Sequence, residues 1–254
     1  MGRTDDAGME MKTIGLIGGM SWESSALYYR IVNEEVKRRL GGLHAAEVVL
    51  LSLDFAPIER LQAEGRWDEA GARLAEAARR VERAGADLLL LCTNTMHRVA
   101  VAVAAAVGIP LLHIADPTAV AITAAGISRV GLLGTRFTME QDFYRGRLAD
   151  RHGLDVLVPG EHDRRLVHDV IYRELVLGEV RESSRDAYRA VMARLVGRGA
   201  EAIILGCTEI VLLVRPEDAT VPLFDTTRLH AEGAVALALG GVSAASRPLV
   251  GGVP

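Results

Sequence analysis

The sequence predicts an α/β fold of two similar lobes, each built around a parallel β-sheet. A repeat is the first observation behind this prediction: Ile-Gly-Leu-Ile-Gly at 14–18 recurs as Val-Gly-Leu-Leu-Gly at 130–134. Further along, Gly-Ala-Asp at 85–87 recurs at nearly the same spacing as Gly-Ala-Glu at 199–201. The second observation is that short runs of Val, Ile and Leu alternate with amphipathic helical patterns. This order requires parallel strands joined by right-handed crossovers.

The elements of both lobes follow from apolar runs and helical periodicity, because strands covered by helices on both faces are almost continuously apolar. In the first lobe, strands are predicted at 13–17, 48–53, 87–91 and 109–113, with helices at 21–40, 67–84 and 95–107. In the second lobe, strands are predicted at 129–133, 155–158, 202–205 and 221–224, with helices at 138–152, 163–177 and 184–196.

A last predicted helix, 226–239, follows the second lobe and is expected to pack back on the first. The first lobe is therefore predicted to comprise residues 12–114 plus 226–239, and the second lobe residues 115–225. The polar segment 1–11 and the Gly-, Ser- and Pro-containing segment 240–254 are expected to be flexible tails.

Composition excludes several classes of function. The chain has 29 basic and 33 acidic side chains, and this balance is unlike the basic surface that nucleic-acid binding requires. Its apolar runs are far shorter than a membrane span, so no membrane association is expected. Residues 1–11 lack the apolar stretch of a signal peptide, and two cysteines cannot form a disulfide framework. We therefore expect a cytoplasmic protein with free thiols.

Bound cofactors and metals are not expected. Lys12 and Lys37, the only lysines, lie before or within the first predicted helix, so a pyridoxal phosphate Schiff base is disfavoured. The glycines at 15–19 lack the G-x-G-x-x-G spacing of dinucleotide loops. His162 and His168 lie on a charged amphipathic helix with a spacing that fits no usual metal site.

Small polar residues follow five of the predicted strands. Because ligands bind at the carboxyl ends of parallel strands, these loops are candidates for a site, and helix N-termini beside them can hold an anion. For any one loop, capping of the next helix is a sufficient explanation. Five loops at one edge predict a polar pocket: 18–21, 52–54, 93–95, 134–135 and 207–209.

The repeat makes Thr93 and Cys207 counterparts, since they lie at equal distances after Gly85 and Gly199. Two groups on opposite sides of one carbon can invert a stereocentre, one removing a proton and the other returning one. A thiol suits this role because its pKa, about 8.5 when unperturbed, can fall at a helix N-terminus. The threonine hydroxyl is a much weaker acid, so the pair is unequal.

The chain resembles the aspartate/glutamate/hydantoin racemase family over residues 12–239. Its Gly-Cys-Thr-Glu at 206–209 matches the second catalytic motif, and Thr-Asn-Thr-Met-His at 93–97 matches the first, C-N-T-x-H, except at its cysteine. Ile-Gly-Gly-Met at 17–20 and the G-T-x-x-T turn at 134–138 agree as well. The resemblance implies a three-layer α/β/α fold with the active site between the lobes, catalysis without cofactor or metal, and a homodimer.

Thr93 stands in place of the family's first catalytic cysteine. A subgroup specific for L-aspartate and L-glutamate resembles this chain, with threonine first and cysteine second. The resemblance therefore implies an amino-acid racemase that inverts Cα of aspartate or glutamate, with Cys207 opposite Thr93. Cys92 is one residue out of register and is predicted to be a buried strand thiol.

Further roles are implied by the same resemblance. The substrate α-carboxylate is assigned to Asn94, Thr95 and Thr208. His97 either helps Thr93 exchange its proton or anchors the helix, and Glu209 either orients Cys207 or favours a helix start. Aspartate racemases with two cysteines carry an arginine in the loop after the second strand. In this chain that loop is 54–60, and the sequence does not place Arg60 at the position of that arginine. The remaining pocket residues are assigned as Met20, Ser21, Ser52, Thr135 and Thr138.

Two other functions remain open on sequence grounds. Arylmalonate-type decarboxylases, which also work without cofactor, keep only the second cysteine and protonate a carbanion from one face. Their first position differs from the T-N-T-x-H found here. A module that binds an amino acid without catalysis is the other alternative; the missing first cysteine favours it, and the complete motif at 206–209 opposes it.

Overall fold

Residues 11–240 are described by the structure, a computed structural model, and they form two parallel β-sheets flanked by helices. The first sheet has the strand order β2-β1-β3. Its elements and the helices that follow it are β1 (Ile14–Gly18), α1 (Trp22–Leu40), β2 (Val48–Ser52), α2 (Phe55–Ala63), α3 (Trp67–Arg83), β3 (Leu88–Leu91), a 3₁₀ turn (Thr95–Val99), α4 (Ala100–Ala104) and α5 (Ala115–Ala124).

The second sheet has the order β5-β4-β6-β7, with β4 in the position that β1 holds in the first sheet. Its elements are β4 (Arg129–Gly134), α6 (Arg136–Glu140), α7 (Asp142–His152), β5 (Asp155–Leu157), α8 (Glu161–Arg173), a 3₁₀ turn (Leu175–Leu177), α9 (Glu182–Gly197), β6 (Ala202–Gly206), α10 (Ile210–Leu213), a 3₁₀ turn (Pro216–Asp218), β7 (Leu223–Asp225) and α11 (Thr226–Ala238).

The two central strands show why the repeated Ile-Gly-Leu-Ile-Gly pattern needs its first glycine. A Cβ at Gly15 would lie 2.5 Å from Cγ1 of Val81 on α3, and a Cβ at Gly131 would lie 3.0 Å from Cδ1 of Leu195 on α9. Each glycine thus lets a helix approach its sheet closely. The parallel pairing and the repeated strand order confirm the predicted class of two parallel-sheet α/β lobes.

The predicted fourth strand of the first lobe, 109–113, is wrong. Only an isolated parallel bridge between Leu89 and Leu111 forms there. Pro110 has no N–H to donate to the sheet, and the chain then turns into α5 through a hydrogen bond from Asp116 N to His113 O (3.0 Å). The segment is therefore too short and too bent to make a strand.

Several predicted helices are shorter or interrupted. The helix predicted at 95–107 begins as a 3₁₀ turn and ends at 104; that at 138–152 divides because Gln141 is extended (φ −102°, ψ 151°). The sequence prediction missed α2 and α5. Both carry a proline, Pro57 or Pro117, in their first turn, where a helix needs no N–H donor, so the proline does not prevent the helix.

Helix α11 packs beside α1 on the first sheet, after the chain has completed the second sheet. Its buried residues Ala231, Ala234 and Val235 share one apolar cluster with Tyr28 of α1. The backbone N–H of Lys12 also donates to Ala238 O (3.0 Å). The predicted tails lie outside the described residues, apart from positions 11 and 240. Within 11–240, no helix is both long and apolar enough to cross a membrane.

Three buried histidines lie where α11 meets the loops that follow β3. The ring of His97 is 4.5 Å from that of His113 and 5.7 Å from that of His230, between centroids. His230 Nε2 donates to the carbonyl of Leu112 (2.9 Å), which leaves Nδ1 to accept from the Tyr28 hydroxyl (2.8 Å). Burial lowers the pKa of His97 to about 4 and that of His230 to about 3, so both are neutral in the fold.

These depressed pKa values predict a loss of stability in mild acid. Histidine in the unfolded chain takes up a proton near pH 6.5, whereas His97 and His230 do not until the pH is far lower, so stability is full above 6.5 and decreases below it. Between pH 7.5 and 5, each should contribute a loss of about 2 kcal/mol in the free energy of unfolding. Urea denaturation at several pH values measures this slope.

His230→Gln should flatten the pH dependence, because an uncharged amide replaces the group that titrates in the unfolded chain. His44→Gln is the matched control, since His44 is exposed and should leave the slope unchanged. Equal slopes for wild type and His230→Gln would contradict the prediction.

Candidate active site

A narrow cavity of about 30 Å³ lies between the carboxyl ends of the two sheets. Loops after β1 and β3 supply one side of its wall, and loops after β4 and β6 supply the other, so both lobes contribute. The wall consists of Met20, Ser21, Phe55, Gln62, Thr93, Asn94, Thr95, Thr135, Ile171, Tyr172, Val176, Cys207, Thr208 and Glu209.

The predicted pair Thr93 and Cys207 line this cavity from different lobes. Thr93 follows β3 and Cys207 follows β6, the equivalent strands of the two sheets, and each side chain is 8% exposed. Cys92 is fully buried at the end of β3 and does not line the cavity, as predicted. The duplicated fold therefore brings one thiol and one hydroxyl to a common space.

Glu209 is a buried carboxylate that accepts three hydrogen bonds. The thiol of Cys207 donates to its Oε2 (2.9 Å), as does the hydroxyl of Thr208 (2.7 Å). The hydroxyl of Ser21, from the loop after β1, donates to Oε1 (2.7 Å). Glu209 thus holds the Cys207 side chain and also joins the two lobes. Glu209 therefore contacts the Cys207 thiol directly, in addition to standing at the start of α10.

The expected lowering of the Cys207 pKa is wrong: the surroundings raise it well above the ordinary value. Burial is the main cause, and the negative charge of Glu209 adds to it. The backbone N–H groups of Thr208 and Glu209 do lower the pKa, as expected at a helix start, but their effect is smaller. Helix α10 has only four residues, so little dipole opposes the burial. Cys207 is therefore a neutral thiol.

Asn94 presents an oxygen without a hydrogen-bond partner. The hydroxyl of Thr226 donates to the carbonyl of Leu205 (2.9 Å), so it has no hydrogen left and must accept from Asn94 Nδ2 (3.1 Å). This assignment leaves Oδ1 of Asn94 as a buried acceptor with no partner in the described part of the chain. A donor group in the cavity would satisfy it.

Three threonine hydroxyls form a chain across the two lobes. Thr95 and Thr135 are linked by a hydrogen bond of 3.0 Å, and Thr135 and Thr138 by one of 3.2 Å. The three hydroxyls have three hydrogens, and the two bonds use two of them. When Thr138 donates to Thr135 and Thr135 donates to Thr95, the hydroxyl hydrogen of Thr95 stays free and can point into the cavity. The oxygen of Thr135 also caps α6 by accepting from Thr138 N.

Three predicted site residues do not line the cavity. Ser52 is exposed at the end of the edge strand β2, and Thr138 is fully buried behind Thr135. Both nitrogens of His97 are bound by backbone: Nδ1 donates to Thr93 O (2.8 Å), and Nε2 accepts from Ile114 N (3.1 Å). His97 therefore anchors the loop, and its neutral ring has no free nitrogen for proton exchange with the Thr93 hydroxyl.

The sequence prediction missed five residues of the wall. Phe55 and Gln62 belong to the unpredicted helix α2, while the other three come from α8 and the turn after it, in a stretch without a motif. The hydroxyl of Tyr172 donates to Gln62 Oε1 (3.1 Å), which closes the two lobes over the cavity. The three residues from the second lobe are Ile171, Tyr172 and Val176.

Two similar α/β lobes that meet around such a cavity are the architecture of the two-lobed racemases. A candidate Asp/Glu racemase from Yersinia pestis is 56% identical, with a TM-score of 0.85 and coverage of 90% of this chain and all of that one. An aspartate racemase homologue from Pyrococcus horikoshii OT3 is 33% identical, with a TM-score of 0.76 over 90% of this chain and 99% of that one. The Asp/Glu/hydantoin racemase family model matches residues 17–234, and the chain belongs to this family.

A variant of arylmalonate decarboxylase shares the same architecture at greater distance. It is 17% identical, with a TM-score of 0.51 over 91% of this chain and 94% of that one. At this level of identity, the similarity concerns the fold alone and does not distinguish between decarboxylation and racemisation.

Replacing the carboxylate of Glu209 should lower the pKa of the Cys207 thiol. Glu209→Gln keeps an acceptor oxygen beside the sulfur and removes the negative charge that disfavours the thiolate. Titration of the thiolate by its ultraviolet absorbance, in a Cys92→Ser background, measures the pKa directly. The exposed Glu217→Gln is the control and should leave it unchanged. An unaltered titration in Glu209→Gln would show that the carboxylate does not act on the thiol.

Proposed function

We propose that the protein is a cofactor-independent amino-acid racemase in which Cys207 and Thr93 face opposite sides of the substrate Cα. One observation carries this: a thiol and a hydroxyl from equivalent positions of the two lobes line one cavity. The membership in the Asp/Glu/hydantoin racemase family supports it. We further propose a cytoplasmic homodimer, in keeping with the free thiols and with the sequence resemblance.

The substrate's α-groups have complementary partners in the wall. The unpartnered Oδ1 of Asn94 is an acceptor, so it suits the α-ammonium group and not the carboxylate. The spare hydroxyl hydrogen at Thr95 suits the α-carboxylate. Thr208 already donates its hydroxyl hydrogen to Glu209, so that group is not free for the carboxylate. We therefore assign Asn94 to the ammonium and Thr95, backed by Thr135, to the carboxylate.

Proton transfer at the Cys207 face needs the thiolate in one direction and the thiol in the other. Glu209 Oε2 already accepts the thiol hydrogen, so transfer of that proton to the carboxylate moves the negative charge to sulfur. The thiolate then takes the Cα proton and leaves a carbanion. In the reverse direction, the neutral thiol donates its proton to the carbanion. Protonation of the carbanion from the opposite face takes the hydroxyl hydrogen of Thr93, and the proton that Glu209 received then returns to the Thr93 oxygen through solvent. Because this hydroxyl is only weakly acidic, protonation from its face is the slower step.

The resemblance also implies an acidic substrate, and the names of the two similar structures, an Asp/Glu racemase and an aspartate racemase homologue, point the same way. A carboxylate side chain bound away from water needs a lysine or arginine beside it, or several hydrogen-bond donors such as those that hold Glu209. The cavity wall formed by the described residues contains no lysine or arginine. The proposed substrate is therefore an α-amino acid, and the exchange assay compares acidic with uncharged side chains.

Cys207→Ser should reduce exchange of the substrate α-hydrogen in deuterated water by about 10²–10⁴-fold, because a serine hydroxyl is a far poorer acid and base than a thiol. Proton NMR of a panel of L- and D-amino acids measures the exchange. Cys92→Ser is the matched control: it removes the other thiol, which lies outside the cavity, and should preserve activity. Undiminished exchange in Cys207→Ser would overturn the mechanism.

Thr93→Cys should bring exchange and inversion to similar rates. In the native protein, the enantiomer whose Cα hydrogen faces Cys207 can lose and regain a proton at that face, so exchange with retention should exceed inversion. A second thiol supplies the missing acid on the opposite face. NMR gives the exchange rate, and chiral chromatography gives the rate of inversion. The mechanism predicts a smaller exchange-to-inversion ratio in the variant; an unchanged ratio would argue against Thr93 at the second face.

A further inference from the structure

Part of the cavity wall consists of apolar side chains around one polar contact. Ile171, Tyr172 and Val176 from the second lobe lie with Phe55 and Gln62 of α2. None of these five carries a charge. The α-ammonium and α-carboxylate partners of the preceding subsection are elsewhere in the wall, on the loops after β3 and β4. The five residues therefore provide the surface available to the substrate side chain.

The polar contact has hydrogen-bonding capacity to spare. The Tyr172 hydroxyl donates to Gln62 Oε1 (3.1 Å), and Gln62 Nε2 donates to the sulfur of Met96 (2.9 Å). Gln62 retains a second amide hydrogen, and the Tyr172 oxygen retains lone pairs. Together they offer one donor and one acceptor, which match an amide or a hydroxyl. A carboxylate would use only the donor.

Negative charge is disfavoured in this part of the cavity. Glu209 lies in the same wall, and no lysine or arginine does among the described residues. The pKa of Tyr172 is raised, chiefly by burial and further by the negative charges of Glu59 and Glu209, which means that its surroundings resist an anion. Glu209 is tolerated in this wall because three donors hold its oxygens, whereas the five residues here would offer a carboxylate one donor, the second amide hydrogen of Gln62.

Two arginines, one whose charge acts on Tyr172 and one on α2, lie outside the wall. Arg136, whose charge opposes the rise in the Tyr172 pKa, is exposed and stacks on Phe137, with its guanidinium carbon 4.9 Å from the ring centroid. Arg60 is exposed on α2 and does not line the cavity. Neither is placed in the wall to neutralise a substrate carboxylate.

We propose that the substrate side chain is uncharged and that Gln62 and Tyr172 determine this specificity by binding its polar end. This inference rests on the proposed racemase function, and it changes the class of substrate from acidic to neutral amino acids. Gln62 comes from the first lobe and Tyr172 from the second, so the side chain is recognised where the lobes meet over the cavity.

The test compares substrates of equal size that differ in charge. Asparagine with aspartate, and glutamine with glutamate, are matched pairs for α-hydrogen exchange in deuterated water. We expect kcat/KM for the amide of at least one pair to exceed that for the acid by about 10-fold or more. Faster exchange of the acids in both pairs, or equal rates, would overturn the inference while leaving the racemase function intact. If no α-hydrogen exchange occurs with any of the four substrates or with any other amino acid, both the inference and the racemase function are overturned.

Two variants at position 62 separate charge from shape. Gln62→Lys places an ammonium group beside Tyr172 and should shift the ratio of acid to amide exchange upward by about 10-fold or more. Gln62→Met has a similar length without charge or an amide, and it should reduce amide exchange without improving exchange of the acids. If both variants keep the native ratio while remaining active, Gln62 does not contact the side chain. Cys207→Ser in parallel confirms that all measured exchange arises at this site.

Discussion

The buried carboxylate of Glu209 is the constraint on which the site depends. A carboxylate removed from water needs donors for its oxygens, and Glu209 finds them in both lobes: Ser21 from one, Cys207 and Thr208 from the other. The same interaction therefore links the two lobes and sets the direction of the sulfur and of the proton on it. Its cost is a thiol that resists ionisation, because the charge that orients the sulfur also disfavours the thiolate.

Around this contact, other hydrogen bonds hold the cavity wall without using all of its capacity. Hydroxyls of Thr95 and Thr135 meet across the lobes, and Tyr172 meets Gln62. Asn94 is held through Nδ2, which leaves its oxygen free in a buried place. Such a wall is preorganised: its polar groups are fixed by their neighbours and retain unused donors and acceptors for a ligand.

Much of the fold was predictable because local patterns dictate it. Gly15 and Gly131 mark the central strands, since a side chain there would meet α3 or α9. The strand predicted at 109–113 failed because Pro110 cannot donate to the sheet, a local fact that the apolar run obscured. The motifs around Thr93 and Cys207 placed both residues at one cavity correctly. Gln62 and Tyr172 escaped prediction because only the tertiary fold brings α2 and α8 together.

An unequal pair at Cα cannot favour one enantiomer at equilibrium, because mirror-image amino acids have the same free energy in solution. Replacing a thiol by the hydroxyl of Thr93 therefore changes rates and not the final mixture. It makes the carbanion return more often to the Cys207 face, where the proton is easily supplied, than to the Thr93 face. The Glu209 carboxylate accentuates this asymmetry, since it can receive the thiol proton at the Cys207 face. At the Thr93 face His97 offers no such acceptor, because both of its ring nitrogens are bound to the backbone at Thr93 O and Ile114 N. The duplicated fold thus supplies symmetric positions, and the chemistry at those positions is one-sided.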